Sequence, residues 1–137
     1  MDLFAVRTQV DRVSAGEWVG DIPGLGDIRL KVRGLNSTHF KDASAKAMRN
    51  LPRSERNRDG SLSSAVAERV TGGALAEAVL LDWENVTIQG VMIPYSKEKA
   101  LELLTDPQWQ IFRDAVEWSA RIVADLRADD EGASLGK

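Results

Sequence analysis

The chain has 137 residues, of which 43% are hydrophobic, and it carries a formal net charge of −3 and no cysteine. This size and apolar content predict one domain with a real core, and the missing cysteines exclude disulfides, thiolate catalysis and cysteine-based zinc sites. No apolar run reaches the roughly 18 residues of a membrane span, and the N-terminus has no signal-peptide core, so we expect a soluble, intracellular protein.

The first organised feature is a predicted antiparallel hairpin. Trp18-Val19 forms one short strand, and the segment 28–33 alternates apolar and basic residues with the period of two that is typical of a half-buried strand. Pro23-Gly24 between them supplies the turn, because proline fixes φ and glycine permits positive φ.

Two helical regions follow the hairpin. Asn36 or Ser37 can cap the first helix, and Pro52 stops it; its apolar residues recur at helical spacing. The second region runs from Ser61 to about residue 82, with Gly72-Gly73 as a possible break. Its many alanines and glycines let another backbone approach closely, either from a partner or from a neighbouring helix of the same fold.

The stretch DWENVTIQGVMIPYS, residues 82–96, leads from the second helical region to a third. A two-residue turn at Gln89-Gly90 predicts a short hairpin, and the stretch is interpreted as a structural corner that joins two helices. Trp83 and Tyr95 would stand at the base of that corner. The inward side chains are predicted to be Val86, Ile88, Val91 and Ile93.

The C-terminal part predicts two more helices. Ser96 caps a short one, and Asp106-Pro107 starts a longer one that runs to about residue 127. The apolar arc of this last helix covers nearly half its circumference, more than one packing seam requires. The opposite, polar face is predicted to hold Gln110, Arg113, Asp114, Glu117 and Arg121.

These elements predict an α+β fold that is predominantly helical, with about four helices and two short antiparallel β-hairpins. We expect a single domain over residues 1–127. The polar segment 128–137 is predicted to be a disordered C-terminal tail.

Candidate catalytic groups are sparse. His39 is the only histidine, and its serine and threonine neighbours are too close in sequence to form a catalytic pair easily. The Gly-Leu-Gly at 24–26 leads into a strand instead of a helix, unlike a dinucleotide fingerprint. We therefore expect no enzymatic activity, no cofactor and no metal site.

A basic cluster lies in the first helix and the loop after it, but no aromatic stacking platform accompanies it. Acidic residues dilute its charge, so nucleic-acid binding is the weakest functional alternative and a solvated face is the commoner outcome. The cluster comprises Lys41, Lys46, Arg49, Arg53, Arg56 and Arg58.

The C-terminal aromatic residues are better candidates for recognition. Buried aromatics dominate both cores and interface hot spots, so the sequence alone leaves both roles open. Trp109 lies on the apolar stripe that favours the core, whereas Trp118 lies at its edge. The candidate protein-binding residues are Trp83, Tyr95, Ile111, Trp118, Ile122 and Leu126.

The residues 80–120, LLDWENVTIQGVMIPYSKEKALELLTDPQWQIFRDAVEWSA, resemble the tail assembly chaperones of long-tailed bacteriophages and prophages. The shared pattern is an aliphatic pair, a Trp-Glu-Asn turn, a short hairpin, Pro-Tyr-Ser, Leu-Leu, Asp-Pro and a final aromatic-containing helix. The N-terminal GEWVGDIPGLGDIRLKVRGLNS is similar too. The hairpin tip Ile-Gln-Gly-Val is shorter than in many members of that family.

The resemblance implies a non-enzymatic protein of the host cytoplasm that binds the tape measure protein and keeps it soluble before the tail tube polymerises. Such a protein is expected to form oligomers and to be absent from the mature virion. The alternative is a virion structural component, such as a head–tail joining or tail-completion protein.

The resemblance also implies a longer form, made by ribosomal frameshift, whose extra domain engages tail tube protein. Leu135-Gly136-Lys137 can be encoded by CTG GGA AAA, which contains a slippery run. Our hypothesis is that the gene slips there, and codons that break the run would end it.

Overall fold

A computed structural model describes residues 1–128 and shows an α+β fold of five helices and two small antiparallel sheets. The predicted fold class is confirmed. Short 3₁₀ segments cover Leu3–Val6, Arg53–Glu55 and Pro107–Trp109. The regular elements in chain order are α1 (Val10–Ala15), β1 (Glu17–Val19), β2 (Arg29–Val32), α2 (Thr38–Arg49), α3 (Ser64–Ala78), β3 (Leu80–Glu84), β4 (Thr87–Ile88), β5 (Val91–Met92), α4 (Lys97–Thr105) and α5 (Gln110–Ala124).

The first sheet has the order β1-β2-β3, with both pairs antiparallel. The predicted β1–β2 hairpin is confirmed, and Leu30 and Val32 on its inner face are fully buried. They pack beneath α5, which lies against β2, while α3 and α4 complete the helical layer. The core thus sits between the sheet and these three helices.

The third strand corrects the predicted second helix. That helix ends at Ala78 and does not break at Gly72-Gly73, and the residues predicted as its last turn form β3. A short apolar run fits a buried helix and a buried strand equally well by periodicity. Pairing with β2, with Leu30 opposite Trp83, satisfies the backbone of this run and decides in favour of the strand.

Helix α3 also begins at Ser64, capped by Ser63, and not at the predicted Ser61. The predicted caps of the other three helices are present. The Ser37 hydroxyl accepts a hydrogen bond from Phe40 N at 3.2 Å, the Ser96 hydroxyl accepts one from Lys99 N at 3.1 Å, and the Asp106 carboxylate accepts one from Gln108 N at 3.1 Å. After Asp106 the chain makes a 3₁₀ turn before α5 begins. Local side-chain chemistry was therefore sufficient to predict these helix starts.

The β4–β5 hairpin has the predicted two-residue turn, with Gln89 and Gly90 both at positive φ. Val86 is buried and Ile88 and Ile93 are half-buried, but Val91, which was predicted to point inward, is 62% exposed. Each strand has only two residues, so the end of the ribbon projects beyond the core.

Arg113 corrects the predicted polar face of α5. Arg113 is only 9% exposed, and its guanidinium lies 3.6 Å from a carboxylate oxygen of Glu68 on α3. This ion pair joins two helices that pack together and offsets part of the cost of burying the charge.

The two ends of the described chain are tied together. Thr8 and Arg127 form an antiparallel bridge, Gln9 N donates to Leu126 O at 2.9 Å, and Ala128 N donates to Arg7 O at 3.0 Å. The predicted disordered tail, 128–137, falls outside the described residues from position 129 onward, and the predicted single domain stays a prediction.

Candidate functional site

An apolar groove, which we call the α5 groove, opens beside the first half of α5. It consists of two depressions of about 330 Å³ and about 210 Å³. The larger one lies among the loop before β2, the β4–β5 hairpin, the end of α4 and the start of α5. Its apolar lining includes Leu25, Ile28, Ile88, Leu103, Trp109 and Phe112. The smaller one is lined mainly by Ile22, Pro23, Ala115 and Trp118.

Ile111 lies between the two depressions and lines both of them. Its side chain is 72% exposed, whereas its neighbour Phe112 points into the core and is only 9% exposed. The width of the apolar arc on α5 explains this difference, because the core covers one side of the arc and leaves the other side in water. The groove therefore has an exposed apolar ridge and a well-packed floor.

The polar side chains that line the groove are few. Thr87 and Gln108 line the larger depression, and Asp114 lines the smaller one. A concave, mostly apolar surface with a few polar groups is typical of sites that bind another molecule by burial of apolar area.

The structure brings two of the six candidate protein-binding residues together at this groove. Ile111 and Trp118 both line the smaller depression. Ile122 is half-buried one turn further along α5, and Leu126 is 3% exposed in the core beyond its end. That any of these residues contacts a partner stays a prediction.

The other two candidates, Trp83 and Tyr95, lie behind the groove. The Trp83 ring meets Tyr95 edge-on at 5.0 Å and Phe112 edge-on at 5.9 Å between ring centroids. Its indole N–H donates to the Ile93 carbonyl at 2.7 Å. Since Phe112 also lines the larger depression, this aromatic cluster supports the groove floor and holds the β4–β5 hairpin against it.

Tyr95 is the single tyrosine of the chain, and its hydroxyl donates to the Leu80 carbonyl at 3.2 Å. Burial raises the pKa of Tyr95 above its ordinary value of 10.0, and the charges of Asp82 and Glu98 raise it further. Each effect disfavours the phenolate in the folded state.

We expect the tyrosinate absorbance of the folded chain to titrate at a higher pH than that of the urea-unfolded chain. Between the two pKa values the folded state holds a proton that the unfolded state has lost. The free energy of unfolding therefore falls as the pH rises from 10.0 through the raised pKa of Tyr95, and this tyrosine has no effect on it well below pH 10.0. Tyr95→Phe should remove this share of the alkaline loss. Equal midpoints in the two states would contradict the prediction.

Sequence reasoning missed several lining residues. The apolar stripe predicts a core position for Trp109; the residue is half-buried against the core and also lines the groove. Leu25 lies beside the predicted turn at Pro23-Gly24, and the turn pattern gives it no further role. The available signal was the presence of Ile22 and Leu25 in a segment otherwise made of turn residues.

His39 and the basic cluster lie away from the groove. His39 is exposed near Asp42 and Lys46, and Lys46 lies 3.8 Å from a carboxylate oxygen of Glu77. Arg56 donates to the Met48 carbonyl. Within residues 1–128, no group of three or more histidine, aspartate or glutamate residues could hold a metal ion, and no helix is long and apolar enough to cross a membrane.

The chain matches the family model described as "YdaY prophage protein" over residues 35–137, about three quarters of its length. This span includes α5, the β4–β5 hairpin and the aromatic cluster. The loop that contributes Ile22, Leu25 and Ile28 precedes it. Neither the curated proteins nor the solved structures gave a match. The chain therefore belongs to the YdaY prophage protein family.

Proposed function

We propose that this prophage protein is a tail assembly chaperone that binds the tape measure protein and keeps it soluble until the tail tube polymerises. In this role it acts by reversible binding in the host cytoplasm, without catalysis. It is left out of the mature virion.

The observation that carries the proposal is the α5 groove with its exposed ridge at Ile111. A chaperone for a long, aggregation-prone client needs apolar surface that stays open in the folded state. It also needs an affinity low enough for the client to be released. A shallow groove with one large exposed aliphatic residue meets both requirements, because it offers a small apolar area to each contact.

The proposal extends to assembly. Several copies acting along one client would raise the overall avidity without a tight single contact. A longer, frameshifted form would connect the client to tail tube protein, as the resemblance to tail assembly chaperones implies.

Co-expression with the tape measure protein of the same prophage tests the proposal. We expect the soluble fraction of the tape measure protein, measured after centrifugation, to rise when this chain is present. The two proteins should then co-purify on an affinity tag carried by the chain. The control is co-expression with an unrelated soluble protein of similar size, which should leave the client insoluble.

A soluble fraction that is equal with and without the chain would defeat the chaperone proposal. Detection of the chain as a stoichiometric component of purified virions would instead favour a structural role in the particle. Gene order gives a further check, since a chaperone gene is expected between the major tail protein gene and a very long tape measure gene.

A further inference from the structure

We propose that the occupant of the α5 groove is an amphipathic helix whose apolar stripe is flanked by lysine or arginine. This inference deepens the proposed function by naming the chemistry of the client segment. It rests on that function for the client's identity, but the groove's preference can be measured without it.

The spacing of the two depressions favours a helix. On the α5 side, the larger depression is formed by residues around position 110 and the smaller one by residues around 114 or 115. Four to five residues of helix correspond to about 6–7.5 Å of rise, slightly more than one turn of about 5.4 Å. Two apolar side chains at positions i and i+4 of a docked helix therefore reach one depression each, on either side of Ile111.

The charge around the groove favours basic flanks. Asp21 and Asp27 directly precede the lining residues Ile22 and Ile28, Asp114 lines the smaller depression, and the Asp106 carboxylate is bonded to the lining residue Gln108 at 2.8 Å. None of these four aspartates takes part in an ion pair within the described part of the chain. They can accept cations from a partner.

The neighbouring cations do not neutralise this rim. Arg29, next to Ile28, lies 3.4 Å from Glu84, with its guanidinium 5.4 Å from the centre of the Trp18 ring. Arg113, next to Phe112, is buried beside Glu68. Both arginines are thus engaged with side chains outside the lining, so neither balances the charge of the four aspartates, of which Asp114 lines the groove and the other three lie next to lining residues or are bonded to one. Opposite charge on the partner gives specificity and faster association.

Two synthetic helical peptides of about 18 residues test the assignment, because shorter isolated helices are marginal in water. Both carry leucines at i and i+4, and one has lysine where the other has glutamate. We expect the lysine peptide to bind at least about tenfold more tightly, measured by fluorescence anisotropy, since several exposed ion pairs add up. Added salt should reduce the difference.

Three variants locate the site. Ile111→Lys should weaken binding of the lysine peptide about tenfold or more, because it removes the ridge and adds a repelling charge. The double variant Asp27→Asn/Asp114→Asn should remove much of the preference for lysine over glutamate. Val10→Lys is the matched control, since Val10 is also an exposed aliphatic residue, 65% exposed, but lies on α1. Circular dichroism checks that each variant is folded.

Equal binding of the two peptides, or unchanged binding by Ile111→Lys, would overturn the inference. So would a wild-type dimer that Ile111→Lys converts to a monomer, because the occupant would then be a second copy. Failure of the chaperone proposal can be distinguished from failure of the groove assignment. If wild type and Ile111→Lys solubilise the tape measure protein equally, the function survives and the groove assignment fails. If neither protein solubilises the tape measure protein but the wild type binds the lysine peptide, the groove assignment survives and the chaperone function fails.

Discussion

Replacement of Trp83 by alanine is expected to lower the free energy of unfolding by about 3–5 kcal/mol, the range for truncating a buried aromatic residue. Trp83 is 5% exposed and contacts Tyr95 and Phe112 edge-on. Its indole N–H donates a hydrogen bond to the Ile93 carbonyl. The variant loses this packing and leaves a cavity between β3 and the base of the hairpin. Urea unfolding followed by far-ultraviolet circular dichroism measures the change.

Two further substitutions separate the causes of this loss. Trp83→Phe keeps an aromatic ring but leaves the Ile93 carbonyl without its donor, so we expect a loss of about 1–3 kcal/mol. Trp18→Ala removes the same residue type from β1, where the ring is only half-buried, and should cost less than Trp83→Ala. A loss below about 1 kcal/mol for Trp83→Ala would contradict the structural role that we assign to this residue.

Trp83 also shows where sequence reasoning stops. Its contact with Tyr95 was predictable because a short hairpin brings the two together, and the caps at Ser37 and Ser96 were predictable because each depends on a few adjacent residues. Its place on a strand was not predictable. The residues 80–84 become β3 only by pairing with β2, which lies about fifty residues earlier in the chain, and no local pattern reports such a partner.

The α5 groove, like the position of Trp83 on a strand, could be predicted only in part from the sequence. The wide apolar arc of α5 predicts that some apolar surface remains uncovered, and Ile111 and Trp118 lie on that arc. Which side of the arc stays open depends on the loop before β2 and on the hairpin, and these come from distant parts of the chain. The same local pattern therefore could not separate Ile111, on the surface, from Leu126, in the core.

The acidic rim follows from the same assembly of distant segments. Asp27 and Asp114 are separated by most of the chain, and each alone is an ordinary exposed carboxylate. The fold places the lining residue Ile28, which directly follows Asp27, near the start of α5. Composition could report only the small net negative charge of the whole chain, which says nothing about where unpaired carboxylates gather.

The two adjacent glycines of α3 are expected to respond in opposite directions to alanine substitution. A Cβ at Gly72 would lie 1.9 Å from the Leu104 carbonyl oxygen at the end of α4, and no side-chain rotation can relieve a clash with backbone. A Cβ at Gly73 meets nothing within 4 Å. Gly72 is therefore required for the close packing of α3 on α4, whereas Gly73 only weakens its own helix.

We expect Gly72→Ala to lower the free energy of unfolding by about 1–3 kcal/mol or more, because α4 must move away and the cost of overpacking exceeds the gain in helix propensity. Gly73→Ala should raise it by about 0.5–1 kcal/mol. Both variants change one hydrogen into one methyl group in the same helix, so the comparison cancels effects on the unfolded chain. Urea unfolding measures both, and equal effects at the two positions would show that α3 and α4 do not meet at Gly72.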